Sequence, residues 1–163
     1  VALAEARVVV VLAGDGRGGL RPAGRIAACA DLRDLAVADF DGDKAPDLAL
    51  ACATPGRVVV IPGRPRGGFG KARVFPGGPF PVALAAADFD GDGHADRAAA
   101  NSNGQEIALL VGDGAGGFKE PTLVPAGPSP IAIAAGDADR DGRPDLAVVS
   151  QGDRAVHVLF NRK

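Results

Sequence analysis

One short acidic segment recurs along the chain at a constant spacing of 49 residues. Its first aspartates stand at positions 39, 88 and 137, and the segment reads DFDGD, DFDGD and then the variant DADRD. Apolar runs keep the same spacing, ending at Gly14, Gly63, Gly112 and Asn161. Self-similarity at a fixed period is the signature of repeat architectures. The chain must therefore fold as copies of one 49-residue unit.

Each unit is predicted to contain four short strands separated by turns. In the unit 80–128 the apolar segments are Val82–Ala87, Arg97–Ala100, Glu106–Val111 and Phe118–Val124. Glycine (24) and proline (13) are too frequent in 163 residues for long helices. Pro121 interrupts the fourth segment, which indicates an edge strand. Four strands in about 40–50 residues are typical of a β-propeller blade, so we expect an all-β fold of four-stranded antiparallel blades.

The repeat phase predicts how the 163 residues divide. We expect one repeat domain made of a partial blade at about 1–30, blades at 31–79 and 80–128, and a partial blade at 129–163. Val1–Ala4 has the phase of a second strand and the segment ending at Phe160 that of a third, which gives 14 strands. This phase fits an excerpt of a longer propeller, four imperfect blades, or self-association with a second chain to close the ring.

The three acidic loops are predicted to bind metal. Each places aspartates at positions 1, 3, 5 and 9. These are Asp39, Asp41, Asp43 and Asp47, then Asp88, Asp90, Asp92 and Asp96, then Asp137, Asp139, Asp141 and Asp145. Position 7, held by Ala45, His94 and Arg143, would contribute a backbone carbonyl. Oxygen ligands in this number suit Ca²⁺, so we expect about three calcium ions per chain.

An alternative is that these segments are only Asp-Gly turns. Twelve of the 20 acidic residues lie in the loops, so only eight acidic groups lie elsewhere, against 18 basic groups in the whole chain. Close carboxylates repel by about 4 kcal/mol per pair at an effective dielectric constant near 20, and a cation removes that cost. The loops are not EF-hands, because their twelfth residues, Leu50, Ala99 and Val148, cannot replace the required glutamate.

Two loops depart from the common pattern. Lys44 stands where the other loops have Gly93 and Gly142, and Arg140 stands where they have Gly42 and Gly91. If position 6 needs a positive φ, Lys44 costs about 1 kcal/mol, and its charge opposes a bound cation. We therefore expect the first site to be weaker, and Arg140 to be the milder departure if position 4 tolerates a side chain.

The segments DFDGDGHAD at 88–96 and LLVGDGAGGF at 109–118 resemble the FG-GAP/VCBS repeat, which builds the propeller of integrin α-chains and of many bacterial secreted proteins. The resemblance extends over the whole chain. It implies calcium in the loop between the first and second strand of each blade, and an extracellular or cell-surface location. It also implies a role in adhesion, ligand binding or scaffolding, without naming the ligand.

Other function classes have little support. The formal net charge is −2, without a basic run for nucleic acid or an apolar run of about 18 residues for a membrane span. Gly14–Gly19 and Gly112–Gly117 match the dinucleotide-binding glycine pattern, but prolines follow where that motif requires a helix. No catalytic set is recognisable. We expect a non-enzymatic scaffold with a protein or glycan ligand, the alternatives being a carbohydrate-binding propeller and an enzyme acting at the propeller face.

The two cysteines lack counterparts in the other repeats. If the first acidic loop closes a hairpin, Cys52 pairs approximately with Asp34, and Cys29 then lies about 15 Å away. This distance predicts two free thiols and no disulfide.

Overall fold

The chain forms four consecutive antiparallel sheets, which a computed structural model describes for residues 2–3 and 7–162. Sheet 1 contains β1 (Ala2–Leu3), β2 (Val8–Gly14) and β3 (Leu20–Ala27). Sheet 2 contains β4 (Leu32–Ala38), β5 (Asp47–Cys52), β6 (Arg57–Ile61) and β7 (Arg73–Pro76). Sheet 3 contains β8 (Pro81–Ala87), β9 (Asp96–Asn101), β10 (Glu106–Leu110) and β11 (Thr122–Pro125). Sheet 4 contains β12 (Pro130–Gly136), β13 (Asp145–Ser150) and β14 (Ala155–Leu159).

The all-β prediction is confirmed. The described residues form 14 strands and no helix, and each strand pairs with its sequence neighbour within its sheet. The outer position of the proline-interrupted segment is also confirmed, because β11 is the edge strand of sheet 3. Of the predicted strand Val1–Ala4, residues 2–3 form β1, and residues 1 and 4 lie outside the described residues. The closed ring of a propeller stays a prediction.

The first strands of the three later sheets lie side by side. β4 contacts β8, and β8 contacts β12. Each carries a register shift at the same repeat position, between Leu32 and Asp34 in β4 and at the equivalent places in β8 and β12. The amide of Leu84 in β8 donates to Asp34 Oδ2 of β4 at 2.8 Å. The bulge therefore accompanies a hydrogen bond between neighbouring sheets.

Apolar side chains from successive sheets pack into three clusters. Val9 and Ile26 of sheet 1 pack with Leu50 and Ile61 of sheet 2. The opposite face of sheet 2 meets sheet 3 through Val58 and Leu110, among others. A third cluster joins sheets 3 and 4. Burying one such aliphatic side chain contributes about 1.5–3 kcal/mol, so the contacts between sheets are a main source of stability.

The prediction of free thiols is wrong, because Cys29 and Cys52 form a disulfide with a Cα–Cα distance of 6.0 Å. The predicted 15 Å assumed a straight continuation of β4 beyond Asp34. The bulge instead pairs Leu32 with Cys52, and the chain turns at 28–31, where Ala53 N donates to Asp31 O at 2.9 Å. Both features bring Cys29 back over the end of β5.

Removing the disulfide should destabilise the fold. For the double variant Cys29→Ala/Cys52→Ala we expect the free energy of unfolding to fall by about 3 kcal/mol, because the bridge closes a loop of 23 residues. Urea denaturation at fixed calcium concentration measures this loss. Reductant should reproduce it in the unmodified chain and leave the double variant unchanged. Two thiols titrating in the denatured, unreduced chain would contradict the bridge.

A buried arginine occupies the contact between sheets 2 and 3. The Arg97 side chain is fully buried, and its guanidinium carbon lies 4.0 Å from the ring centre of Phe118 and 4.7 Å from that of Phe75. Its three side-chain nitrogens have no hydrogen-bond partner among the described residues. Burial lowers the pKa of Arg97 to about 9. Cation–π contacts thus offset part of a large desolvation cost.

Replacing Arg97 by leucine should stabilise the chain, because Leu48 and Leu146 hold the equivalent positions. We expect Arg97→Leu to raise the free energy of unfolding by about 1–3 kcal/mol at pH 7. Above pH 9 the folded chain loses the Arg97 proton while the unfolded chain keeps it, so the unmodified chain becomes more stable as pH rises. The stability difference between Arg97→Leu and the unmodified chain should therefore shrink above pH 9. Urea denaturation at pH 7 and pH 10 tests both points, with the surface variant Arg154→Gln as control. Destabilisation at pH 7 would contradict this interpretation.

Candidate metal-binding loops

Each acidic loop joins the first two strands of its sheet and curls through two left-handed residues. At position 6, φ is +88° for Gly93 and Gly142 and +67° for Lys44. The positive φ that Lys44 was predicted to adopt is therefore present. Arg140, at position 4, also has a positive φ, +65°. Arg140 is thus not the milder departure, because both side chains occupy conformations that glycine adopts without cost.

The aspartate at position 1 holds the curl by accepting backbone hydrogen bonds. In the second loop Asp88 Oδ1 accepts from Gly91 N at 2.7 Å, and Asp88 Oδ2 accepts from Gly93 N at 2.9 Å. The first loop has the same arrangement around Asp39. These bonds turn successive amides inward, so the carboxylates at alternate positions approach one another.

The aspartate at position 9 is a buried bridge between two parts of the backbone. Asp96 Oδ2 accepts from Phe89 N at 2.8 Å, and Asp96 Oδ1 accepts from Gly112 N at 2.7 Å. Asp47 and Asp145 make the same pair of bonds, the former to Phe40 N and Gly63 N and the latter to Ala138 N and Asn161 N. Position 9 therefore fastens the loop to the end of the third strand or the turn that follows it.

The three bridging carboxylates differ in their pKa. Burial raises the pKa of Asp47 and Asp96 above the usual value. The backbone hydrogen bonds to each carboxylate lower the pKa, but by less than burial raises it. The pKa of Asp145 is lowered, chiefly by the hydrogen bond from Asn161 N. Asp145 lies in the last sheet, where fewer neighbouring groups desolvate its carboxylate.

Three carboxylates converge in each loop. The sets whose ligand oxygens lie within 4.8 Å of one another are Asp39, Asp41 and Asp43 in the first loop, Asp88, Asp90 and Asp96 in the second, and Asp137, Asp139 and Asp145 in the third. The oxygens are acceptors with free lone pairs even where they bind amides. These donor sets fit a hard cation such as Ca²⁺. The part played by each predicted ligand, including position 7, stays a prediction.

Position 7 is a different residue in each loop, whereas position 5 is aspartate in all three. Asp92 Oδ1 accepts from His94 N at 2.8 Å, and the His94 ring lies over Gly114, where an added Cβ would be 2.5 Å from it. In the third loop the Arg143 guanidinium forms an ion pair with Asp141. That pair withdraws negative charge from the third loop, an effect the sequence pattern did not reveal.

The second glycine-rich segment is a turn. Asp113 Oδ1 accepts from Ala115 N and Gly117 N, both at 2.8 Å, and these bonds lower its pKa. A nucleotide phosphate would need such amides free at the start of a helix, and none of the described residues is helical. Aspartate therefore stabilises a turn in the glycine-rich segment, whereas several aspartates converge in each acidic loop.

Comparison with known proteins agrees with this repeat geometry. A profile of the FG-GAP-like repeat matches residues 39–99 and again 88–148. The chain belongs to the FG-GAP-like repeat family. The two matches begin 49 residues apart, so the family unit and the period found in the sequence are the same. No curated protein matches the chain.

A solved structure shares the fold of this FG-GAP-like chain. It is the Tc holotoxin pore of Photorhabdus luminescens carrying the mutation TccC3-D651A, with a TM-score of 0.56 and 19% sequence identity. The match covers 94% of this chain and 8% of the toxin chain. At this identity the likeness concerns the fold alone.

Substitutions at positions 3 and 9 should separate ion binding from backbone bridging. In chelator, Asp96→Ala should lower the free energy of unfolding by about 2–5 kcal/mol, because Phe89 N and Gly112 N each lose a buried acceptor. Asp90→Ala should change it by less than about 1 kcal/mol under the same conditions. Urea denaturation measures both. Equal losses would show that position 9 has no separate structural role.

Proposed function

We propose that this chain is a calcium-stabilised segment of a β-propeller that serves as a non-catalytic ligand-binding or adhesion scaffold of a secreted or surface protein. The observation that carries the proposal is the recurrence of converging carboxylates at the same place in three successive sheets. Family membership supports it, because calcium in this loop is what the FG-GAP resemblance implies.

Electrostatics support a cation in the loops. Three carboxylate oxygens within 4.8 Å of one another repel strongly when ionised. Their backbone donors, such as Gly91 N and Gly93 N to Asp88, offset part of the repulsion but add no positive charge. Ca²⁺ accepts six to eight oxygen ligands, so carbonyl groups or water would complete each site.

The second loop should bind calcium most tightly. The first loop carries Lys44 with a positive φ, and in the third loop Arg143 already pairs with Asp141. The second loop has glycine at both left-handed positions, 91 and 93, and no such ion pair is found among its described residues.

The sheet arrangement supports a propeller, and the disulfide supports an oxidising compartment. In a propeller the first strands of neighbouring blades lie next to one another around a centre, and contacts of β4 with β8 and of β8 with β12 are compatible with such an arrangement. The Cys29–Cys52 bridge is of a kind that persists in extracellular proteins. Among the described residues, none forms a helix that could cross a membrane. Self-association that closes the ring is part of the proposal.

Calorimetric titration with Ca²⁺ tests the central part of the proposal. We expect about three ions per chain and a lower melting temperature in chelator, because bound ions relieve carboxylate repulsion. The Lys44→Gly variant should bind its first-loop ion more tightly, since it removes both backbone strain and an opposing charge.

Arg154→Gln is the matched control for Lys44→Gly, because it also removes one exposed cation at a residue with positive φ. Its calcium affinity should equal that of the unmodified chain. A folded chain that releases no heat with Ca²⁺ and melts at the same temperature in chelator would refute the proposal.

A further inference from the structure

A cleft between sheets 1 and 2 carries two unpaired arginines. It has a volume of about 430 Å³ and lies between Val11 and Ile26 of sheet 1 and the turn Gly63–Phe69 of sheet 2. Arg25 and Arg64 line it from opposite sheets, and both are exposed. Neither guanidinium forms a hydrogen bond or ion pair with a described residue. The cleft therefore offers two charged, directional donors to a ligand.

The contacts between sheets 2 and 3 and between sheets 3 and 4 are the repeat equivalents of this cleft, and neither of them is both open and charged. Between sheets 2 and 3 the buried Arg97 side chain fills the space between Phe75 and Phe118. Arg73 Nη1 donates to Ala115 O across the same contact at 2.7 Å. Between sheets 3 and 4 a cleft of about 200 Å³ remains, without a charged side chain in its lining. An open and charged cleft is found at the first of these three contacts.

Arg25 departs from the repeat, because Val74 and Leu123 occupy its equivalent positions. Arg64 differs from Asp15 and Asp113 at its equivalent positions and matches Arg162 of the last sheet. Asp15 and Asp113 each accept two amides of their own turn. Arg64 cannot accept such bonds, and its turn uses Gly67 N to Arg64 O at 2.8 Å instead. Two separate substitutions thus place cations in one cleft.

The surrounding sequence reinforces the positive charge. Residues 48–87 contain five basic and no acidic residues, and residues 16–30 contain three basic and none acidic. Elsewhere the chain is acidic enough to give a net charge of −2. Most of the cleft lining lies in these two segments, while Pro46 of the lining belongs to the first acidic loop.

We propose that this cleft binds a short anionic saccharide bearing carboxylate or sulfate groups. Guanidinium groups bind such oxyanions through paired hydrogen bonds, and the volume lies within the usual range for ligand sites. Gly63, Gly67 and Gly68 leave a wall of backbone beside the Phe69 ring, against which a sugar ring can lie.

A nucleic acid fits this cleft less well. Single-stranded nucleic acids bind on several aromatic rings, and Phe69 is the one aromatic residue in the lining. Pro46 of the first acidic loop forms part of the wall, which favours a short anionic ligand over a long polyanion. The inference rests on the proposed scaffold function, since it names a ligand class, but it does not require calcium.

Fluorescence anisotropy with a labelled heparin tetrasaccharide tests this inference, in buffered Ca²⁺ and again in chelator. We expect Arg25→Val and Arg64→Ala each to weaken binding about tenfold or more, and the double variant to abolish it, because each loses a charge-assisted contact. Arg154→Gln removes the same charge far along the sequence and should bind within twofold of the unmodified chain. A neutral dextran oligosaccharide should not compete.

Three results would overturn the inference. One is a folded chain that does not bind the tetrasaccharide, with folding checked by circular dichroism. Another is an equal loss of binding in Arg154→Gln, which would show attraction by net charge alone. The last is equal affinity for inorganic sulfate or for an oligonucleotide of the same charge. Calcium calorimetry on the same samples separates this failure from failure of the proposed calcium sites.

Discussion

A buried carboxylate that joins two distant backbone amides organises each repeat. Asp96 receives a hydrogen bond from Phe89, seven residues before it, and another from Gly112, sixteen residues after it. Asp47 and Asp145 do the same at spacings of 49 residues. The bridge fixes the acidic loop against the end of the third strand. The other aspartates of the loop converge because the position-9 bridge and the backbone hydrogen bonds to position 1 together fix the loop backbone.

Repetition also makes each departure informative. Where two repeats share a residue type and the third differs, the two provide a reference for what that position ordinarily does. Arg97 in place of leucine fills one contact between sheets at the cost of a buried charge. Arg25 and Arg64 leave another contact open and charged. At the position of Cys52, Ser150 instead donates to Ala126 O through its hydroxyl. The same repeat backbone thus supports different side-chain contacts at equivalent positions.

The sequence predicted the fold well and the irregular contacts poorly. The 49-residue period and the alternation of apolar runs and turns gave the strand order, because both depend on local spacing. The positive φ of Lys44 followed from comparison with Gly93 and Gly142. The Cys29–Cys52 bridge was missed because a one-residue bulge and a turn, neither visible as a motif, changed the register. The cleft arginines could have been found by aligning the repeats, but their meeting depends on how two sheets pack.

Amide hydrogen exchange with and without calcium tests most directly whether position 9 bridges the backbone independently of ion binding in the loop. We expect the amides bonded to position 9, at Phe89 and Gly112 and at their equivalents, to exchange as slowly as strand amides even in chelator. The exposed loop amides of Gly93 and His94 should slow down when calcium is added. If the amides at 89 and 112 exchange as rapidly as exposed turns in chelator, the carboxylate bridge does not organise the repeat, and the account is wrong.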